Sequence, residues 1–287
     1  MFDGGEAGQV GQFIQEIPMK LGMVTYNMGK DMTCEELITL CKQTGLQGVE
    51  LRTTHKHGIE VALSPEERAR IKGLFQDSGI AIAQLGSTFE FHSSDPAVVK
   101  KNIDDCQPYM QLAADVGAEG VKVRPNGLQV DKGISVEKTC EQIGLALRQL
   151  GVFGEGIGVK VRVEVHGKGT SEPKNMRQIM DAAEHPNVYV NWNSNGTDMD
   201  VEKSIAANFE LLKDKLEYVH INEIGVYQYP WQDLFTRLKG INYGGWCMAE
   251  ISANEDPVRF MRFYRTLFDL YTGTYRWPQE YADNPKG

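Results

Sequence analysis

The sequence predicts an α/β fold in one domain, a closed (β/α)₈ barrel of parallel strands with a helix after each. Three observations carry this. Eight short β-like runs recur about every thirty to forty residues along the 287-residue chain, each followed by helical periodicity, and strands alternating with helices imply a parallel sheet. Eight such units are the number that favours closure into a barrel. Barrels of this kind also run to this length as single domains, and no linker, low-complexity tract or shift in composition divides the chain.

The elements follow in order. KLGMVTY (20–26) is the first strand, and Thr33 with Glu36 three residues on forms a capping-box pattern ahead of CEELITLCKQTG. After GVELR (48–52), Ser64-Pro65 opens a helix with proline at its first position and Gly79 past its end. IAIAQLG (80–86) precedes a helix opened by Asp95-Pro96, and GVKVR (120–124), VKVRVEVH (159–166), VYVNWN (188–193) and EYVHIN (217–222) continue the series. WCMAEIS (246–252) is the eighth strand, and Asp256-Pro257 opens the last helix. The expected organisation is an arm over residues 1–18, the barrel over 19–271 and a tail over 272–287. The aromatic stretch TGTYRWPQEY in that tail is expected to cover the barrel or a neighbouring subunit, so a homo-oligomer is anticipated.

Composition narrows the function. The net charge of −9, with Lys and Arg scattered among acids, argues against a nucleic-acid surface. Five cysteines without CxxC spacing fit reduced thiols in a reducing compartment. No apolar run is long enough for a membrane span, and the first eighteen residues lack the basic and apolar regions of a signal peptide. The expectation is a cytoplasmic enzyme with a small-molecule partner.

Strand parity points to the chemistry. Successive residues of a barrel strand face helices and interior alternately. Val121 and Val123 oppose Lys122 and Arg124; Val161, Val163 and Val165 oppose Arg162, Glu164 and His166. Val219 and Ile221 likewise oppose His220 and Asn222, and Val49 and Leu51 oppose Glu50 and Arg52. Helices require apolar partners, so the polar set points inward, where unpaired charge is costly. Deep in the strands, a buried ion-pair network of Glu50, Arg52, Arg124 and Arg162 is the competing reading. It does not serve for the last polar residues before the loops, because barrel active sites sit at the C-terminal strand ends.

Four such residues converge there from successive strands: Glu164, Asn193, His220 and Glu250. Carboxylate and amide oxygens with one imidazole suit a single divalent ion, Mn²⁺ first, with Mg²⁺, Co²⁺ or Zn²⁺ as alternatives. The segments VEVHG (163–167), VNWNSN (190–195), YVHINE (218–223) and MAEIS (248–252) resemble the xylose-isomerase-like superfamily of sugar isomerases and epimerases. The resemblance spans residues 19–271, and MKLGMVTYNMG and GVELR share its style. It implies a metal-dependent isomerase or epimerase acting on a ketose or keto-sugar, in which Glu164 and Glu250 both hold the ion and exchange protons with substrate. One departure stands out: where that family has Asp followed three residues later by His, this chain reads Asn193 and Gly196.

Other residues take substrate roles as expectations. His57 and His92 lie in loops after strands and His166 shares the parity of Glu164. Lys122 and Arg124 suit a hydroxyl, carboxylate or phosphate, or else compensate Glu50 and Glu164. Asn222 extends the His220 parity. His185 is expected at the opposite end, on the surface, and Trp231 and Trp246 are candidates for walling a pocket or a subunit contact.

Three rival functions are weighed. A lyase would use the same enolate chemistry to expel a β-leaving group from a keto-sugar such as a 3-keto-glycoside, with a histidine as base. A catalytically degenerate binding barrel would follow from the loss of Asp at 193. A DNA-repair endonuclease would need three zinc ions and a basic surface, against six histidines and a negative chain.

Overall fold

In a computed structural model, residues 18–226 and 228–276 are described. The arm over 1–18, except Pro18, and the tail beyond 276 therefore lie outside the described residues.

The strands β1 (Lys20–Val24), β2 (Gly48–Arg52), β3 (Ala81–Glu90), β4 (Gly120–Arg124), β5 (Lys160–Glu164), β6 (Val188–Trp192), β7 (Leu216–Ile221) and β8 (Trp246–Ala249) pair in parallel in that order. β1 also pairs with β8, which closes the barrel. The helices α1 (Cys34–Thr44), α2 (Pro65–Ser78), α3 (Pro96–Val116), α4 (Val136–Ile157), α5 (Pro173–Ala183), α6 (Ala206–Leu212), α7 (Trp231–Gly240) and α8 (Pro257–Thr272) surround it. Thr33 and Ser64 each complete a capping box, satisfying N–H groups that a helix start leaves free. Gly45 and Gly79 end α1 and α2 in the left-handed conformation that glycine adopts without strain. Among the described residues no helix is long and apolar enough to cross a membrane.

The parity holds. Val49, Leu51, Val121, Val123, Val163, Val219 and Ile221 are fully buried in the layer between sheet and helices. Inside the barrel, small residues face large ones. A Cβ on Gly48 would meet Trp246 at 2.6 Å, and one on Gly22 would meet Met248 at 2.6 Å. These side chains, with Tyr218, fill the N-terminal half.

Arg162, fully buried, closes this floor by pairing with Glu217 and with Glu119 at 3.4 Å. Its Nη1 donates to the Ala83 carbonyl at 2.7 Å and to Gln84 Oε1 at 3.3 Å. Gln84 in turn donates to Glu50 at 2.7 Å, and Glu50 accepts from His220. A polar column thus runs along the axis from floor to mouth.

The single ion-pair network anticipated for Glu50, Arg52, Arg124 and Arg162 is not what forms. Arg162 pairs at the floor, Arg52 approaches Glu250, and Arg124 pairs with Glu90 at 2.9 Å. Trp231 and Trp246 wall no pocket at the mouth: Trp231 packs on Tyr229, while Trp246 lies inside the barrel beneath the Lys20 ammonium. His185 sits at the N-terminal end as expected but is tucked in, its Nδ1 accepting the Asn187 N–H at 3.1 Å. All five cysteines are buried and unbridged.

Candidate metal and active site

The four expected ligands stand at the C-terminal mouth. Glu164 is the last residue of β5 and His220 lies one residue from the end of β7. Asn193 and Glu250 each follow the last residue of their strands, β6 and β8, slightly beyond the ladder expected from sequence. Donor atoms of Glu164, His220 and Glu250 all lie within 4.8 Å of one another. Asn193 is buried, and its Oδ1 has no hydrogen-bond partner among the described residues. Ser194 beside it holds a left-handed φ of 48° while its Oγ donates to the His220 carbonyl at 2.8 Å. Such backbone strain in a non-glycine residue concentrates at functional sites.

His220 organises the cluster. Its Nε2 lies 2.7 Å from Glu50 Oε2 and its Nδ1 faces Glu164 at 3.2 Å and Glu250 at 3.4 Å. Without an ion, Nε2–H faces Glu50 and Nδ1–H faces the two carboxylates; with an ion held between those carboxylates, Nε2–H would stay on Glu50 and Nδ1 would be the ligand atom, the carboxylate–histidine arrangement that orients a metal ligand. Burial opposes charge on this imidazole, yet Glu50 and Glu250 raise its pKa well above the ordinary value. Glu164 is also buried, but the Lys122 ammonium at 3.0 Å, with His220, holds its carboxyl well below the usual range. Lys122, itself buried, lies 3.9 Å from Glu50 as well. It fills the compensating role anticipated for it, whereas Arg124 compensates Glu90.

Two carboxylates, an imidazole nitrogen and an orphaned amide oxygen fit a divalent ion. Glu164, Asn193, His220 and Glu250 would hold it.

Above the cluster opens a pocket of about 400 Å³ lined by Tyr26, Arg52, Lys122, Arg124, Glu164, His166, Asn193, Asn195, Asn222 and Glu250. His166 and Asn222 are therefore brought to the site as expected. His166 Nδ1 lies 2.8 Å from Asn126 Oδ1, and the Asn126 amide donates to Glu90. That bond makes Nδ1 the protonated nitrogen and leaves Nε2 as an acceptor. Burial lowers the His166 pKa, which keeps the ring neutral.

His57 and His92 are not brought to the pocket. His57 Nδ1 accepts the Ile59 N–H at 3.1 Å and its Nε2 bonds the Arg52 carbonyl at 2.8 Å, so both nitrogens brace the loop after β2. His92 stands 3.8 Å from Glu90, behind the Arg124 pair. Sequence reasoning placed Glu50 on the inward parity but not against His220. It also passed over Asn191, whose amide lies 3.2 Å from His220 Nε2, and Tyr26 and Asn195 on the lining. Inward parity is the available signal for Asn191 and for Tyr26, which shares the parity of Gly22 and Val24 in the run KLGMVTY; Asn195 carries none.

The family model for xylose isomerase-like TIM barrels matches residues 38–266. The chain belongs to this family. Among solved structures, 3-keto-D-glucoside 4-epimerase from E. coli is similar at 17% identity, with 89% of this chain and 99% of that chain covered and a TM-score of 0.70. D-psicose 3-epimerase from Clostridium cellulolyticum H10, solved with D-tagatose, is 15% identical over 88% and 99%, with a TM-score of 0.73. The IOLI protein with a bound zinc atom is 18% identical over 91% and 100%, with a TM-score of 0.72. No curated protein matches by sequence.

Proposed function

We propose that this family member is a divalent-metal-dependent isomerase or epimerase of a ketose or keto-sugar, working by proton transfer through an enediolate. The observation that carries this is the meeting of Glu164, His220 and Glu250 donors within 4.8 Å beside the orphaned Asn193 oxygen. The structural likeness to sugar epimerases and to a zinc-containing barrel supports it. When bound, the ion, Mn²⁺ by preference, supplies Lewis-acid polarisation of the substrate carbonyl, which acidifies the adjacent C–H.

The protein's own groups do the rest. Glu164 and Glu250 flank the pocket floor from β5 and β8, so one removes the C–H proton and the other returns one to the opposite face or the neighbouring carbon. Lys122 keeps Glu164 ionised and ready to accept. Glu50 fixes the His220 ring, and His166 offers its neutral Nε2 to a substrate hydroxyl.

The test is elemental analysis of the purified protein and of His220→Ala, followed by solvent deuterium exchange into keto-sugars. About one equivalent of metal, lost in the variant, with deuterium entering beside the carbonyl, is expected. No metal in either protein after loading removes the enediolate reading and leaves a binding barrel. A second reading is favoured by the Asn126-fixed His166: β-elimination on a keto-glycoside, with His166 as base or leaving-group acid. An unsaturated product with release of the leaving group would establish it.

A further inference from the structure

Charge at the mouth points to a property of the substrate beyond the keto-sugar class, on the basis of the metal-dependent reading above. Four carboxylates (Glu50, Glu90, Glu164, Glu250) and three fixed cations (Arg52, Lys122, Arg124) gather in or just beneath the pocket. With a divalent ion bound and His220 as its neutral ligand, that set would carry an excess of one positive charge. An aspartate at position 193 would have cancelled the excess; Asn193 leaves it.

The excess has an address. Lys122 is engaged by Glu164. Arg52 reaches Glu250 only at 3.9 Å, lies over the Tyr26 ring at 4.9 Å, and its guanidinium makes no hydrogen bond among the described residues. A metal ion on Glu250 would take even that partner. Arg124 gives Nη2 to Glu90 and keeps a buried Nε without a partner. Both arginines line the same pocket, on β2 and β4, either side of β3.

We propose that the pocket takes an anionic keto-sugar, one carrying a carboxylate remote from its carbonyl, and that Arg52 and Arg124 receive that carboxylate. A guanidinium presents forked donors that match a carboxylate in two parallel bonds, whereas a neutral sugar would leave Arg52 without a close anionic partner and the buried Arg124 Nε without an acceptor. A monoanion balances the excess of one charge, whereas a phosphate dianion overshoots it.

The experiment is titration calorimetry on protein first loaded with Mn²⁺ and checked for one equivalent of metal. Three ligands are compared: a ketohexose, the matching ketohexuronate and the matching ketohexose 6-phosphate. The uronate is expected to bind at least about tenfold more tightly than the neutral sugar, the scale of a charge-assisted hydrogen bond. Arg124→Gln and Arg52→Gln should each lose most of that advantage, and added salt should weaken the uronate but not the neutral sugar. Equal binding of sugar and uronate, tighter binding of the phosphate, or no binding of any of the three with the ion in place overturns the proposal. Absence of the ion, read before any sugar is added, overturns the metal-dependent reading and this inference together, so the two failures are distinct.

Discussion

Replacing Lys122 with methionine removes a buried charge while keeping most of the length of the side chain. The ammonium lies 3.0 Å from Glu164 and 3.9 Å from Glu50, all three groups being buried. At an effective permittivity of about 20 the gross attractions are about 5 and about 4 kcal/mol. Part of this is offset because the ammonium no longer needs to be stripped of water. Buried pairs broken from one side cost about 3–5 kcal/mol net. For a chain of this size that lowers the thermal midpoint by roughly 6–20 °C. A divalent ion would replace the lost cation beside Glu164, so Mn²⁺ should raise the variant's midpoint further than the wild type's. Melting curves with and without Mn²⁺ measure both effects. A variant midpoint within about 2 °C of wild type in both conditions would refute the reasoning, since an ionised Glu164 cannot lose its nearest cation without consequence.

Two further outcomes are expected. Burial pushes Asp198, which accepts from the Asn195 N–H at 2.7 Å and from the Tyr229 hydroxyl at 2.8 Å, up to about 7. The folded state therefore holds a proton that the unfolded chain releases, so this contribution is complete below the ordinary aspartate value and lost as pH rises through about 7. Its size is at most about 4 kcal/mol; urea midpoints at pH 5 and pH 8 should differ less for Asp198→Asn than for wild type, and an unchanged difference counts against it. Gly48→Ala would set a Cβ 2.6 Å from Trp246 inside the floor, costing about 1–3 kcal/mol; a melting point equal to wild type would show that Trp246 has room to move.

Much of this architecture is legible in sequence because two local rules are enforced everywhere. Helix starts such as Thr33/Glu36 and Ser64-Pro65 are settled within four residues and form as read, the second gaining a capping box with Glu67 as well. Parity along β4, β5 and β7 is set by the alternation of valine and isoleucine with charge, and it correctly aimed Lys122, Glu164 and His220 inward. What sequence could not give is which inward group meets which. Glu50 and His220 stand 170 positions apart and touch only through closure of the barrel. His57 illustrates the opposite failure. Its loop position resembled that of a substrate ligand, but two neighbouring backbone groups capture its nitrogens. The strand ends also fall earlier than read, with Asn193 and Glu250 one residue past β6 and β8, although the Glu250 N–H still donates to the Ile221 carbonyl at 2.9 Å.

The polar column from Glu217 through Arg162, Gln84 and Glu50 to His220 has a consequence for how the chain assembles. Eight parallel ladders of short, largely apolar strands offer many ways to close out of step, and an apolar interior would distinguish poorly among them. A slip of one residue in β2, β5 or β7 would drive a glutamate, an arginine or a histidine into the oily layer beneath the helices. The groups that tune the mouth thereby act as a combination lock on closure. Changes that weaken the site are then expected to surface first as slow or heterogeneous refolding, before any loss is seen at the pocket itself.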